Sequence, residues 1–255
     1  MTMASWIIIG AGYTGARLAR RLSRRGLRVT VTRRDHRVAG EVANAVGASA
    51  AAVDLEDAES LVGALHPGDI VVDSVPPRAS VDGEKALVRA CAAAGVQRLV
   101  YLSSTGVYPR ARGQWVTEDD APAPFSARGR ARLAAEQALL ATARELGVSA
   151  VSLRIAGIYG PGRGAYVRIR NGTYRVVGAG NTMISRIHVD DLVKAIELVA
   201  TVSPLPFDVF NVADDEPTSS RVFADGVAEM LGVSPAPSVD PAEVSLEARA
   251  MLGAD

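Results

Sequence analysis

Trp6-Ile7-Ile8-Ile9-Gly10-Ala11-Gly12-Tyr13-Thr14-Gly15 is the stretch whose reading decides the fold. Four apolar residues run into a G-x-G-x-x-G pattern, which opens an amphipathic segment over Gly15–Arg25. In that setting the glycines have separate tasks: Gly10 permits a tight turn, Gly12 lets backbone approach a pyrophosphate, and Gly15 allows a helix to pack closely on the strand. Loop N–H groups, with Tyr13 and Thr14 among the loop residues, and the positive end of the helix then hold phosphate oxygens. The stretch predicts a strand, a dinucleotide-binding turn and a helix.

Outward from it, short apolar runs alternate with longer amphipathic ones. Further strands are expected over Arg28–Thr32, Ala50–Val53, Ile70–Ser74, Leu99–Ser103, Ala150–Arg154 and Val209–Val212. The helices between and after them are expected over Gly40–Val46, Glu56–Leu65, Asp82–Ala94, Ala127–Leu146, Asp190–Ala200 and Ser219–Leu231, with Gly26, Gly95, Gly147 and Gly232 as left-handed stops. Runs such as Ile7–Ile9 and Ile70–Val72 lack polar alternation, as expected of strands covered on both faces. The pattern predicts an α/β, doubly wound Rossmann fold: a mostly parallel sheet of about seven strands with a small C-terminal lobe. The core would comprise residues 1–155 and 186–212, and a substrate-covering lobe residues 156–185 and 213–255. Arg110–Ser126 and Gly157–Thr182 read as long Gly- or Pro-rich loops, and Glu243–Leu252 as a last helix.

With 48% apolar and 22% charged residues, the 255-residue chain has an ordinary globular composition, which excludes a disordered tail or a coiled-coil rod. No apolar run approaches the ~18 residues of a membrane span, and no basic segment precedes the first strand as in a signal peptide. Cys91 is the single cysteine, which excludes a disulfide scaffold and cysteine-based metal clusters, and no metal site is expected. The expected setting is cytoplasmic. Basic and acidic residues balance at 28 each, so charge predicts binding to neither nucleic acid nor membrane. Of the basic residues only Lys85 and Lys194 are lysines.

The end of the second strand bears on the cofactor. An NAD site places Asp or Glu there to bond the ribose 2′-hydroxyl. Here the strand runs into Arg33-Arg34, whose guanidiniums suit the 2′-phosphate of NADP, although Asp35 follows immediately and a solvated charge pair is the plainer alternative. The expectation is NADP, with NAD less favoured.

Leu99–Tyr108 reads Leu-Val-Tyr-Leu-Ser-Ser-Thr-Gly-Val-Tyr. Together with the glycine motif, Leu153–Gly162 with its Arg154 and Tyr159-Gly160-Pro161-Gly162, Arg186-Ile187-His188-Val189-Asp190-Asp191-Leu192, and Phe210-Asn211-Val212, it resembles the extended short-chain dehydrogenase/reductases of the NAD-dependent epimerase/dehydratase group. The resemblance covers about residues 7–215 and implies a small-molecule substrate, with a homodimer as one assembly open to the chain. It implies that Asp54 contacts the adenine, with Leu55 beside it, and that Ser74-Val75-Pro76 and Ser103 line the cofactor. Ser104, with Thr105 next to it, matches the catalytic Ser or Thr. Ile155 and Ile158 would lie against the nicotinamide. Arg186 and His188 would sit where the lobe rejoins the core. An anionic substrate would suit Arg128 or Arg163, with solvated surface arginines as the plainer alternative.

One element of that pattern is missing. The family's acid is the Tyr of Tyr-x-x-x-Lys, where the ammonium lowers the phenol's pKa for proton transfer. None of the six tyrosines here has a lysine four residues later. Arg128 and Arg132 occupy that spacing on one helix face. Arg132 could bond ribose hydroxyls, but neither guanidinium releases its proton. Tyr108 is the alternative phenol. Two functions stay open: an oxidoreductase or epimerase/dehydratase on a carbonyl, alcohol or sugar-like substrate with altered acid–base groups, and a nucleotide-bound sensor without hydride chemistry. A flavin enzyme on the same fingerprint would leave Ser103–Tyr108 unexplained.

Overall fold

A strand with an apolar residue at every position needs cover on both faces, and the architecture supplies it. The computed structural model describes residues 5–109 and 113–244. The first three residues of the loop read over Arg110–Ser126, and most of the helix expected over Glu243–Leu252, lie outside the described residues. Seven parallel strands form the sheet: β1 (Trp6–Ile9), β2 (Val29–Arg33), β3 (Ser49–Ala52), β4 (Ile70–Asp73), β5 (Arg98–Ser104), β6 (Ala150–Ile155) and β7 (Val209–Val212). Their spatial order is β7-β6-β5-β4-β1-β2-β3. The chain winds outward in one direction from β1 and in the other from β4. The crevice between those two strands at their C-terminal ends is where this topology places ligands.

The connecting helices are α1 (Tyr13–Arg24), α2 (His36–Val46), α3 (Ala58–Ala64), α4 (Asp82–Ala94), α5 (Ala127–Leu146), α6 (Ala165–Arg170), α7 (Val189–Thr201) and α8 (Ser220–Leu231). Period-2 geometry sends Trp6 and Ile8 to one face, where Leu18 and Leu22 of α1 and Leu192 and Ile196 of α7 cover them. Ile7 and Ile9 face the other way, against Leu61 of α3, Leu87 of α4 and Leu139 of α5. Each such fully buried Leu or Ile contributes ~1.5–3 kcal/mol of burial free energy. Among the described residues, no helix is long and apolar enough to cross a membrane.

A third cluster stands apart from the sheet. Ile169, Tyr174, Val176, Ala224 and Val227 pack α6 against α8. The reading of Gly157–Thr182 as an unbroken loop is therefore corrected. The segment contains α6 and Val176–Val177, which pairs in parallel with Ser238–Val239, and it starts with Gly157–Tyr159, which pairs with Arg186–His188. α2 also begins four residues earlier than expected, at His36, because the Asp35 carboxylate caps it by accepting the Val38 N–H at 3.1 Å. Gly95, Gly147 and Gly232 stop their helices in the left-handed conformation, whereas α1 is capped by Arg25, with the left-handed Gly26 one residue later.

Candidate active site

Where β1, β2, β4, β5 and β6 end, a cavity of about 700 Å³ opens at the switch point. Gly10 turns the chain there at φ +77°, and a Cβ on it would lie 2.8 Å from Val75 Cγ2. A Cβ on Gly15 would lie 2.9 Å from Ile8 Cγ2, so this glycine is required by helix–strand packing and does not itself line the cavity. Gly12 differs from both. Its φ of −84° suits any residue, and the nearest atom to a Cβ there is the Gly10 carbonyl oxygen at 3.8 Å. Protein packing gives no reason for a glycine at 12, whereas bare backbone facing the cavity fits a pyrophosphate. The residues present thus fit a dinucleotide. Beside Gly12, Tyr13 and Thr14 line the cavity. The Tyr13 hydroxyl donates to the Pro161 carbonyl at 3.1 Å and its ring carries the Arg163 guanidinium at 5.1 Å, which brings the Gly160–Gly164 turn over the glycine loop.

At one end of the cavity, β2 delivers Arg33 and Arg34, and Val53, Asp54 and Leu55 follow β3. Arg33 Nε is buried without a partner. Asp35, the residue that complicated the reading of β2, is turned away as the cap of α2. Arg78 was missed in the sequence. It lines the cavity, pairs with Asp54 at 2.8 Å and with Glu56 at 2.5 Å, and thereby fixes the Asp54 carboxylate. Desolvation works against that carboxylate, but the Glu56 N–H and Arg78 outweigh it and hold its pKa below the ordinary aspartate value. The signal for Arg78 was a Pro76-Pro77-Arg78 segment shortly after β4.

At the other end, Ser74, Val75 and Pro76 follow β4, and Ser103 and Ser104 end β5. Ile155 and Ile158 close the wall together with Ala156 and Gly157. Ser103 Oγ is buried without a partner. Ser104 Oγ accepts the Gly106 N–H at 3.1 Å, which leaves its own O–H to donate. Arg128 and Arg132 both line the cavity, but differ in their ties. Arg132 Nη1 donates to the Leu102 carbonyl at 2.9 Å, the Tyr101 hydroxyl at 3.2 Å and the Val75 carbonyl at 3.3 Å, so it clamps the ends of β4 and β5 to α5. The expectation that Arg132 serves ribose hydroxyls meets a side chain already engaged by protein on that nitrogen. Behind it, burial pushes the Asp73 carboxyl up to about 7, against the Val75 N–H, and Glu84 adds to the rise. Burial also raises Glu84 itself, with Arg132 opposing it. Cys91, in the same layer, is pushed up to about 12 by burial and is an inert core thiol.

Besides Gly15, four proposed site residues do not reach the cavity. Tyr108 is buried; its hydroxyl donates to Asn211 Oδ1 at 2.9 Å and accepts from Arg154 Nη1 at 2.7 Å. Arg154 in turn pairs with buried Glu136 at 2.7 Å, and Ser152 Oγ donates to the same carboxylate. With both its donor and its acceptor engaged, this phenol is a structural member of a buried network. Thr105 sits in the turn after β5, where its hydroxyl reaches the Ile155 carbonyl at 3.5 Å. Arg186 lies over the Phe223 ring at 3.6 Å and donates to Thr218 Oγ1 at 2.9 Å, tying α8 to the Arg186–His188 strand. His188 caps α7, its Nδ1 accepting the Asp190 N–H at 3.3 Å. Arg186 and His188 lie on the strand that pairs with Gly157–Tyr159, and their side chains do not line the cavity. Strand-end side chains point by register, which spacing in the sequence leaves undetermined.

The sequence profile of the NAD dependent epimerase/dehydratase family matches residues 6–213. Over 273 residues the chain is 29% identical to the 2-alkyl-3-oxoalkanoate reductase of Stenotrophomonas maltophilia, covering 96% of this chain and 79% of the reductase. It is 29% identical over 243 residues to Protein YeeZ of Escherichia coli, covering 89% and 84%. A conserved protein of unknown function from Silicibacter pomeroyi has a similar structure with a TM-score of 0.82 at 32% identity, over 99% of this chain and 88% of that one. MoeE5, solved in complex with UDP-glucose and NAD, aligns with a TM-score of 0.77 at 25% identity, over 98% and 92%.

Proposed function

Because the chain belongs to the NAD dependent epimerase/dehydratase family, we propose that it is an NADP-dependent oxidoreductase that reduces a small carbonyl compound without a Tyr–Lys proton relay. The observation that carries this reading is Ser104, at the cavity wall beside Ile155–Ile158 with its O–H free to donate. The 2-alkyl-3-oxoalkanoate reductase supports a carbonyl substrate by likeness. Arg33 with its unpartnered Nε, Arg34, and the withdrawal of Asp35 to cap α2 support NADP over NAD.

Bound NADPH would supply hydride to the carbonyl carbon. Gly12 backbone and the α1 N-terminus would hold its pyrophosphate, Arg33 and Arg34 its 2′-phosphate, and Asp54 its adenosine half. As the carbonyl π pair moves onto oxygen, Ser104 O–H donates to the developing alkoxide, and the fixed charge of Arg128 stabilises it. Neither arginine releases a proton, so the proton that completes the alcohol comes from water. The α6/α8 unit covers the substrate, and a cytoplasmic homodimer completes the proposal. The test is NADPH oxidation against a panel of ketones, aldehydes and oxo acids, with NADH as control. Turnover with NADPH is expected; no turnover with any carbonyl would sink the reading. The second reading, a dinucleotide sensor, is favoured by the arginine standing where a phenol is expected. Tight NADPH binding together with no oxidation across that panel would select it.

A further inference from the structure

Six arginines line the cavity, and they can be accounted for one at a time. Arg78 is neutralised by Asp54 and Glu56. Arg132 is held by two carbonyls and the Tyr101 hydroxyl, with the carboxyls of Asp73 and Glu84 behind it. Arg163 stacks on Tyr13, next to the glycine loop and the pyrophosphate it fits. Arg33 and Arg34 stand at the end of β2, within the adenosine half. That leaves Arg128. Among the described residues it has no hydrogen-bond or ion-pair partner, and it lines the cavity where the first turn of α5 packs on the turn after Ser104.

Its position is electrostatically unfavourable. Arg128 is the second residue of α5, whose first turn holds no acidic side chain, so a cation sits at the positive end of a 20-residue helix. Arg132 lies four residues on along the same face, where like charges repel. Its placement is nonetheless fixed: Ser126 Oγ caps the Gly129 N–H at 3.0 Å, and a Cβ on Gly129 would run into the Gly106 carbonyl oxygen. This close approach holds the first turn of α5 against the turn that follows Ser104. A local rule broken at a cavity wall, with no compensation from the protein, marks a functional position.

Building on the reductase reading above, we propose that Arg128 is a specificity residue that binds a carboxylate of the substrate, so that the substrate class is carbonyl compounds bearing a carboxylate near the reducible carbon. The guanidinium offers a planar two-donor face to such a group, and the anion would relieve the repulsion between Arg128 and Arg132.

The test uses isothermal titration of the NADP⁺-loaded protein, and of the protein alone, with linear monocarboxylates from acetate to octanoate and with the amides of the same chain lengths. At the best length the carboxylate is expected to bind about tenfold or more tightly than its amide. Arg128→Gln should erase that preference and Arg128→Lys should restore part of it, with NADP⁺ affinity unchanged in both. The altered side chain is exposed and unpaired, so Arg128→Lys should melt with wild type, and Arg128→Gln, which removes the repulsion, no earlier than wild type. Equal binding of amides, no carboxylate binding by either form, or a preference that survives in Arg128→Gln would each overturn the proposal. Failure of wild type to bind NADP⁺ counts instead against the dinucleotide reading, and the titration of protein alone still decides the role of Arg128. Inorganic phosphate serves as a third probe: phosphate that binds through Arg128 while every carboxylate fails overturns the carboxylate assignment.

Discussion

At the glycine-loop end of the cavity the recognition groups belong to the backbone, whereas at the α5 end they belong to side chains. Gly10, Gly12 and Gly15 act through what they lack, and each position follows from a turn, an open face or a packed interface. At α5, Arg128 and Arg132 share one helix face and one residue type, yet one is unpartnered and the other is bound by three acceptors. The contrast shows how a glycine loop can persist in a chain whose α5 residues differ from the Tyr-x-x-x-Lys pattern. Backbone geometry must be kept whole for the strand–turn–helix unit to fold. A side chain on a formed helix can be exchanged without disturbing the sheet, provided that something else holds the strand ends together. Arg132 does that here.

The contrast breaks most visibly at Gly12. Gly12→Val should abolish NADPH binding, seen as loss of saturation in a fluorescence titration, with a melting temperature close to wild type because φ −84° and open space accept the side chain. Retained affinity would show that backbone exposure at 12 is not what the loop provides. At the other end, Ser104→Ala should lower turnover by ~100-fold with NADPH affinity nearly unchanged, as for loss of one oxyanion donor. If Ser104 served only to hold the Gly106 N–H, the variant would melt earlier and keep its rate per folded molecule. With no Tyr–Lys pair to titrate, the pH–rate profile of wild type should also show a weak acid limb near neutrality or none.

Arg33 and Arg34 test whether side chains can also decide the nucleotide end. Replacing both with Ser should weaken NADPH by ~1.5–3 kcal/mol per lost charge-assisted contact while leaving NADH unaffected. Equal losses for the two nucleotides would remove the 2′-phosphate from the argument. The smallest expected effect lies beneath Arg132. Burial raises Asp73 from 3.8 to about 7, so the folded chain keeps a proton that the unfolded chain releases. The stability tied to this group is full below the unfolded value and is lost as pH rises through 7. Asp73→Asn can still accept the Val75 N–H and has nothing to ionise. Its melting temperature relative to wild type should therefore climb between pH 5 and pH 8, by roughly 2–4 °C for each kcal/mol involved. A gap that stays constant with pH would place the Asp73 proton elsewhere.

The sheet was legible because continuous apolar runs can serve little else in a chain of this composition, and every strand of the sheet lies within one residue of its expected bounds. Helices with a capping glycine or an N-terminal Ser were equally plain, as α4 and α5 show. α6 escaped notice because six residues between glycines and arginines carry too short a pattern to show a period. Asp35 left the start of α2 unread because a carboxylate after a strand fits both a ribose contact and a helix cap, and the cap shows only in the backbone of His36–Val38. The turn at Gly10 and the close packing at Gly15 were legible because they follow from conformation; the directions of other side chains were not. Tyr108, Arg186 and His188 could not be assigned, because the direction of a side chain at a strand end depends on register against neighbours distant in sequence.

Asn211 has a consequence for the margin of the sheet. β7 is an edge strand, and its outward N–H groups form a template on which a foreign strand can grow. Glu118, on the loop leading into α5, accepts the Asn211 N–H at 2.6 Å, while Asn211 Nδ2 reaches the Val116 carbonyl at 3.4 Å. A carboxylate and a carbonyl thus stand in for the strand that an eighth position would have supplied. The loop leading into α5 shields that edge against aggregation, and substitutions at Glu118 will be felt in solubility.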